Sequence, residues 1–247
     1  MKPPLGASLL RLFAVQGSWN YERMLGLGVG VAQEPLLRDL RTGNGDGGPV
    51  YRAAVARAAH FFNAHPYLCG LVVGAAARAE HDGAPPEQVE RLRRALCGPL
   101  GSIGDRLVWA GWLPLTSALT LAAVALGAGV WAVAGFLVVY NTGHVALRWW
   151  ALRAGWRHGT GVAVALHHPV IVRALSVVGP MAAMAAGFCL PLAAGWLARP
   201  LPLWAKVVAA LVAVAGGCAL LAAPRLTAQR LGLALSAVAL VIGVAWR

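Results

Sequence analysis

The second part of the chain contains no acidic residue, and this absence restricts its fold more than any other feature. All nine Asp and Glu residues lie between Glu22 and Asp105. Beyond Asp105, long apolar runs alternate with isolated Arg and Lys residues, a pattern typical of transmembrane helices held at the interface by cations. Charged residues make up 12% of the chain, against about 25% in a typical soluble domain. We therefore expect an all-α, polytopic membrane protein.

The apolar runs differ in whether they are long enough to cross a bilayer, which takes about 20 residues. The three runs of sufficient length are Leu107–Leu126, Ala128–Leu147 and Ala174–Ala198. Two later runs, Val207–Ala223 and Leu231–Trp246, are marginal and need flanking residues to complete a span. Residues 106–247 are thus predicted as a transmembrane helical region.

Residues 1–105 are predicted as a separate region that carries amphipathic and re-entrant helices and faces the cytoplasm, because no full span precedes Leu107. This region has eleven basic and nine acidic residues, a net charge of +2, whereas residues 106–247 have ten basic residues and no acid. The basic residues are scattered. Nucleic-acid binding requires dense basic clusters on a soluble domain, so we expect no nucleic-acid partner.

Local signals divide the N-terminal region into short elements. Residues 8–40 are predicted as helical pieces with a break at Glu34-Pro35, since a residue before proline disfavours the α conformation. Glycines and a proline make residues 43–49 a flexible linker. Residues 50–64 follow as a helix with Arg52 and Arg57 facing water. Residues 66–77 are apolar but too short to cross, which predicts a re-entrant or interfacial element.

The next element is an amphipathic helix that starts at Pro85-Pro86-Glu87. Its apolar face comprises Val89, Leu92 and Leu96, and its polar faces comprise Glu90, Arg91, Arg93 and Arg94. Residues 98–105 (GPLGSIGD) then predict non-helical backbone at the entrance to the first span. Such backbone is tolerated at membrane depth only when it is buried in protein or lines a cavity.

Three short motifs carry most of the polar and aromatic chemistry: residues 16–24 (QGSWNYERM), 61–66 (FFNAHP) and 98–105 (GPLGSIGD). Their sequences, order and approximate spacing resemble the IID component of the mannose/fructose/sorbose phosphotransferase system permeases. The resemblance extends over about residues 10–160, through Asn141 and Gly155-Trp156.

This resemblance implies a membrane subunit that pairs with a IIC subunit to carry a hexose across the inner membrane. IIA and IIB phosphocarrier subunits use histidines to pass phosphate to the sugar, whereas the IID subunit is not phosphorylated. It also implies an oligomer of IIC–IID heterodimers in contact with membrane lipid. No catalytic residue, cofactor or metal is therefore expected on this chain.

A neutral hexose is recognised through hydrogen bonds to its hydroxyls and contact with flat apolar surfaces, and unpaired buried polar groups enforce specificity. The candidate substrate-binding residues are Asn20, Asn63, His65 and Asp105. Ring faces could come from Trp19, Tyr21 and Phe62. A second reading stays open for Asp105, as a helix N-cap, and for Asn63, as a cap of its own loop.

The other motif residues are predicted to have interface or structural roles. They are Gln16, Trp19, Tyr21, Glu22, Arg23, Gly98, Pro99 and Gly104, with Glu22 and Arg23 as an ion pair. Asn141 and His144 lie three residues apart inside an apolar run, which favours contact with a partner helix over contact with substrate.

Neither the histidines nor the cysteines predict a metal site. His167 and His168 are adjacent, so they point apart on a helix, and no further ligands accompany them. The four cysteines are widely spaced and sit among small or apolar residues, which predicts buried thiols.

Two other functions remain as alternatives. A IID relative could act as a regulatory or scaffold protein that senses phosphotransferase flux without moving sugar. An unrelated secondary transporter is disfavoured, because Asp105 is the last acidic residue and no acid inside the predicted spans could couple transport to protons or sodium.

Overall fold

A computed structural model describes residues 3–41 and 48–222 of this chain. The chain divides into two compact units, residues 1–193 and 194–247. Within the described ranges the chain is helical, and the β pairing there consists of isolated bridges. The predicted all-α class is confirmed.

The helices of the first unit, in chain order, are α1 (Leu5–Leu12), α2 (Gly26–Leu37), α3 (Pro49–Ala58), α4 (Cys69–His81), α5 (Pro86–Gly104), α6 (Leu113–Ala125), α7 (Gly129–His158), α8 (Ala163–Leu166) and α9 (Pro169–Leu197), whose last turn enters the second unit. A π-helical segment, Asp105–Trp112, joins α5 to α6. The second unit contains α10 (Leu203–Ala222).

Helix α4 lies at the centre of the first unit, and every residue from Cys69 to Ala77 is buried. It packs closely against α7 because glycines occupy the contact. A Cβ atom built on Gly70 would lie 2.7 Å from the backbone nitrogen of Leu152, and one on Gly74 would lie 2.5 Å from the carbonyl oxygen of the same residue. The apolarity of residues 66–77 therefore reflects the burial of α4 in the core, and the re-entrant or interfacial placement of this short element stays a prediction.

Two local breaks predicted from proline and glycine are absent. Helix α2 continues past Glu34-Pro35 to Leu37, because Pro35 lies in its last turn and is buried against the core. Residues 98–104 belong to α5, and the helical backbone continues into the π-helical segment, so GPLGSIGD is not a loop. Gly104 allows this helix to pack tightly: a Cβ at that position would overlap the His65 ring.

Two arginines predicted to face water do not. Arg57 forms an ion pair of 2.7 Å with Glu80, and both side chains are largely buried. Arg93 is 2% exposed, donates a hydrogen bond to the carbonyl of His60, and lies over the Phe62 ring. In α5 the predicted apolar face is observed, since Val89 and Leu96 are buried.

Three helical stretches are long and apolar enough to cross a membrane: Pro86–Ala125, Gly129–Gly161 and Ala163–Trp196. They contain the three runs predicted to span, apart from one or two terminal residues of each run. Of the two marginal runs, Val207–Ala223 lies largely within α10, and Leu231–Trp246 lies outside the described residues. The linker at 43–49 also falls mostly outside them.

The predicted boundary at residue 105 does not coincide with a break in the structure. The helical stretch Pro86–Ala125 passes through it, and Ala151 and Leu152 of α7 belong to the same core as α4. The cytoplasmic placement of residues 1–105 stays a prediction. Among the cysteines, Cys69 and Cys189 are buried as expected, whereas Cys97 is half-buried and Cys218 is exposed.

Candidate functional site

The three sequence motifs meet at one cavity of about 400 Å³ in the first unit. Its walls are polar as well as apolar and come from the segment after α1, the segment before α4, the end of α5 and the π-helical segment. The motif residues that line it are Gln16, Trp19, Asn63, Ala64, His65, Pro66, Gly98, Gly101, Ser102 and Asp105, joined by Leu25, Cys97 and Trp109. We call this the polar cavity.

A short turn positions the first motif against the second. The Asn20 Oδ1 accepts hydrogen bonds from the backbone N–H groups of Glu22 (3.1 Å) and Arg23 (2.8 Å), and so closes the turn. Met24, at φ 51°, then pairs through backbone bridges with Asn20 and with Phe62. Asn20 is not among the side chains that line the polar cavity, so the structure gives it a role in building the wall.

Asn63 and Asp105 face the polar cavity without protein partners. Both side chains are exposed, and neither forms a hydrogen bond or an ion pair with any described residue. Asp105 does not cap a helix, because helical backbone continues on both sides of it. Asn63 does not cap its own loop. The two side chains are therefore free to hydrogen-bond a molecule in the cavity.

His65 is buried at the back of the same cavity. Its Nδ1 accepts a hydrogen bond of 3.2 Å from the backbone N–H of Tyr67, so the neutral ring carries its proton on Nε2, which has no partner among the described residues. Burial lowers the pKa of His65 from its ordinary 6.5 to about 4, and the positive charge of Arg148 contributes in the same direction. His65 is thus a neutral donor at physiological pH.

Arg148 of α7 is the main residue that sequence reasoning missed. It is 3% exposed, and its Nη1 donates to the carbonyl oxygens of Leu12 and Pro66. Its Nε donates to the Nε2 of His144 at 2.7 Å. Leu12 ends α1 just before the first motif, and Pro66 ends the second, so Arg148 holds two walls of the polar cavity together. A basic residue that directly follows the apolar run Ala128–Leu147 was the available signal.

An aromatic cluster separates the polar cavity from a second, apolar cavity of about 430 Å³. Trp109 contacts His65 with ring centroids 4.9 Å apart, and Tyr67 contacts both rings, at 5.0 Å from His65 and 6.0 Å from Trp109. Tyr67 is held in turn by a 2.8 Å hydrogen bond to Tyr140 and by stacking on His144. The apolar cavity is lined by residues such as Tyr67, Leu107, Val108, Trp112, His144 and Ile171.

The π-helical segment presents residues to both cavities. Asp105 and Trp109 line the polar cavity, whereas Leu107, Val108 and Trp112 line the apolar one. π-Helical turns are rare and occur frequently at functional sites. This segment is therefore the wall shared by the two cavities.

The remaining motif residues occupy the outer surface or pack locally. Tyr21, Glu22, Arg23 and Pro99 are exposed, and Trp19 contacts Tyr21 edge-on at 4.8 Å. Glu22 and Arg23 do not form the predicted ion pair with each other. His144 contacts Tyr67 and Arg148 inside the first unit, while Asn141 is exposed and donates to the carbonyl of Leu137. Contact of these two residues with a partner helix stays a prediction.

Within the described ranges, no group of three or more His, Cys, Asp or Glu side chains could hold a metal ion. The chemistry available in the polar cavity is hydrogen bonding from amide, carboxylate and hydroxyl groups beside an indole ring. Such a set suits a neutral, polyhydroxylated molecule.

The fold and the cavity define a helical membrane protein whose polar cavity lies where a long helix becomes apolar. The chain belongs to the PTS system mannose/fructose/sorbose family IID component, whose sequence profile matches residues 2–189. The likeness that the three motifs suggested is thereby confirmed.

Individual relatives agree with this membership. The chain is 32% identical over 163 residues to the sorbose-specific EIID component of Klebsiella pneumoniae, covering 64% of this chain and 58% of that one. It is 27% identical over 158 residues to the mannose-specific EIID component of Escherichia coli K12, covering 62% and 54%. The chain thus matches little more than half the length of these curated relatives.

Solved structures share the fold at lower sequence identity. A chain of the mannose transporter ManYZ, determined by cryo-EM in complex with microcin E492, has a TM-score of 0.59 and 22% identity, covering 76% of this chain and 69% of that one. A second solved membrane protein has a TM-score of 0.66 and 20% identity, covering 88% and 97%.

Proposed function

We propose that this chain is the IID subunit of a mannose-type sugar phosphotransferase system, and that its polar cavity lies on the hexose pathway. The observation that carries the proposal is the convergence of three separate motifs on one cavity, in which Asn63 and Asp105 have no protein partner. Both side chains are exposed in the free chain and are covered when a polyhydroxylated ligand pairs with them. Removing one partner of a hydrogen bond that is buried in the complex costs about 1–3 kcal/mol, so this pairing gives both affinity and specificity.

The partners follow from family membership. The subunit pairs with a IIC subunit in the inner membrane, in an oligomer of IIC–IID heterodimers, and a IIB subunit charged by IIA phosphorylates the sugar. The solved relative of the same fold is a ManYZ transporter, which supports pairing with a IIC-type subunit. In the proposal this chain carries no phosphorylated residue, as its resemblance to IID components implies, and His65 serves as a neutral hydrogen-bond donor.

The test is sugar binding and uptake by the reconstituted IIC–IID complex. Asn63→Ala removes a hydrogen-bonding amide at the cavity wall, and we expect a loss of about 5- to 150-fold in binding. Asp105→Asn keeps the shape but removes the charge, so it separates a hydrogen-bonding role from an electrostatic one. Complex yield is measured by immunoblot in every sample.

Two matched controls replace the same residue types outside the cavity. Asn141→Ala removes an exposed amide whose hydrogen bond is to its own helix, and Asp39→Asn neutralises an exposed carboxylate. Wild-type binding in both cavity variants would defeat the site assignment. An intact complex that binds a IIB subunit but moves no hexose would favour the regulatory alternative.

A further inference from the structure

Three arginines surround one carboxylate on the surface of the first unit. Arg11 belongs to α1, and Arg38 and Arg41 lie in and after the short 3-10 turn that follows α2. Glu34 of α2 accepts hydrogen bonds from Arg11 at 2.6 Å, from Arg38 at 2.8 and 2.9 Å, and from Arg41 at 3.3 Å. The Tyr51 hydroxyl adds a hydrogen bond at 3.0 Å. We call Arg11, Arg38 and Arg41 the basic patch.

One carboxylate cannot neutralise three guanidinium groups, so the basic patch with Glu34 keeps a net charge of +2. Arg38 and Arg41 are about half exposed, at 50% and 45%. Each guanidinium has five N–H donors, and Nη1 of Arg38 and of Arg41 has no partner among the described residues. Arg38, Arg11 and Tyr51 hold the pKa of Glu34 down at about 2, against the opposing effect of burial, so the carboxylate stays charged.

Among the described residues, the acid that follows Arg38 in sequence faces elsewhere. Asp39 follows Arg38 in sequence but lines a different groove, together with Arg78 and Asp82, which form an ion pair with each other. The surplus positive charge of the basic patch is therefore available to an external anion.

Exposed apolar side chains border the basic patch. Val31 lies on the same face of α2 as Glu34 and Arg38, and it is 55% exposed, while Leu10 precedes Arg11 in α1 and is 72% exposed. Arginines interleaved with exposed aliphatic residues are typical of surfaces that lie in the headgroup region of a bilayer.

Helix α1 also lies beside a membrane span. Gly6 and Leu9 form one wall of an open apolar groove, and the other wall is the outer face of α7 from Val138 to Trp149. Because α7 belongs to the candidate span Gly129–Gly161, α1, which carries Arg11 of the basic patch, lies beside a helix that is long and apolar enough to cross a membrane.

We infer that the basic patch binds the phosphate of an anionic phospholipid headgroup in the leaflet that faces the predicted cytoplasmic side. Guanidinium groups recognise phosphate oxygens through paired N–H donors. Glu34 fixes the spacing of the three arginines, and Leu10 and Val31 contact the adjoining acyl region. This inference does not depend on the proposed sugar site.

The experiment measures binding of a fluorescent phosphatidylglycerol to the full chain in its purified complex in detergent, with phosphatidylcholine as the neutral comparison. The variant R38Q/R41Q leaves Arg11 on Glu34 and removes two cations. Because a basic residue near an anionic surface contributes about 1 kcal/mol, we expect phosphatidylglycerol binding to weaken about 10- to 30-fold and phosphatidylcholine binding to stay unchanged.

The control R52Q/R91Q removes the same charge from two exposed arginines outside the patch that have no ion-pair partner among the described residues. We expect it to change binding less than threefold. R38K/R41K keeps the charge and should retain most of the binding, and unfolding midpoints in detergent show whether each variant is folded.

Four outcomes would overturn the inference. The first two are an equal loss of phosphatidylglycerol binding in the patch and control variants, and equal binding of phosphatidylglycerol and phosphatidylcholine. The third is full competition by soluble glycerol phosphate. The fourth is an equal loss of phosphatidylglycerol binding in R38Q/R41Q and R38K/R41K, accompanied by a lowered unfolding midpoint. A patch variant that loses a IIB subunit but keeps phosphatidylglycerol would assign the patch to a protein partner instead.

Discussion

Arg148 joins three segments that lie far apart in sequence. Its guanidinium donates to carbonyls at the end of α1 and before α4 while it belongs to α7, and it lies 4.8 Å from the centre of the Tyr67 ring. No carboxylate pairs with it among the described residues. Its charge is satisfied by carbonyl oxygens, by His144 and by ring faces, an arrangement that costs less than leaving the cation unpaired.

We predict that Arg148→Met destabilises the protein by about 1–3 kcal/mol, since it leaves the buried carbonyl of Pro66 without a donor and leaves that of Leu12 with the backbone N–H of Val15 alone. Unfolding in detergent, followed by a fluorescence change, measures this loss. Arg153→Met serves as the control, because Arg153 is exposed on the same helix and contacts the Trp149 ring. Its expected cost is below about 1 kcal/mol. Similar losses in both variants would contradict the role given to Arg148.

His65 makes stability depend on pH. Its folded-state pKa of about 4 lies below the ordinary 6.5, so the unfolded chain takes up a proton that the folded chain refuses. Above pH 6.5 the ring is neutral in both states, so His65 does not affect the free energy of unfolding. As the pH drops from 6.5 towards 4, only the unfolded chain is protonated, and the free energy of unfolding decreases by up to about 3 kcal/mol. Unfolding free energies measured across this range should show the loss in the wild type and a smaller one in His65→Gln.

The sequence could identify the polar residues of the cavity but not all of their roles. Asn63, His65 and Asp105 stood out because amide, imidazole and carboxylate groups flanked apolar segments, and the structure places all three at one cavity. Asn20 could not be separated from them, since an amide that closes a turn looks the same in sequence. Arg148 was missed because its partners are backbone carbonyls, which no sequence motif reveals.

At the scale of helices, the α4–α7 contact depends on small residues at regular spacing. Gly70 and Gly74 lie one turn apart on α4 and face Leu152 and Gly155 on α7. A Cβ on Gly155 would lie 2.9 Å from the carbonyl carbon of Leu71. Small residues four apart allow helix backbones to approach closely, as in membrane helix pairs.

We predict that Gly74→Ala lowers stability by about 1–3 kcal/mol or more, because the added methyl group meets backbone atoms of α7 that cannot rotate away. The matched control is Gly135→Ala on α7, where nothing lies within 4 Å of the added Cβ. There alanine should be neutral or should stabilise the helix by up to about 1 kcal/mol. The measurement is thermal unfolding in detergent, and equal midpoints for the two variants would refute the prediction.

The positions of helices were easier to predict than their ends. Apolar length located the three spans, whereas proline and glycine signals placed breaks at Pro35 and at residues 98–105 that tertiary packing removes. Pro35 is buried in the last turn of α2, and Gly104 allows α5 to pass close to His65. Local propensity amounts to about 1–3 kcal/mol at such positions, which burial of neighbouring residues can outweigh.

At the scale of the whole molecule, the predicted orientation can be tested from outside the cell. Gln88 is exposed near the start of α5, so a cysteine placed there should react with a membrane-impermeant maleimide only after the inner membrane is permeabilised. The parent for this variant carries Cys218→Ala, because the native Cys218 is exposed and would add background. Labelling in intact spheroplasts would place residues 1–105 on the other side.

The length of the unbroken helical stretch Pro86–Ala125 indicates how deep its residues lie in a bilayer. Its 40 residues measure about 60 Å, twice the thickness of the hydrocarbon layer, and the portion from Leu107 to Ala125 accounts for about 28 Å. If that portion fills the layer, Asp105 stands at the level of the headgroups and Trp112 about one to two turns deeper. A solute in the polar cavity would then still have water on one side. The solute would lose this water only after passing the Trp109 ring, so that ring marks the boundary between the hydrated and the dehydrated parts of its path.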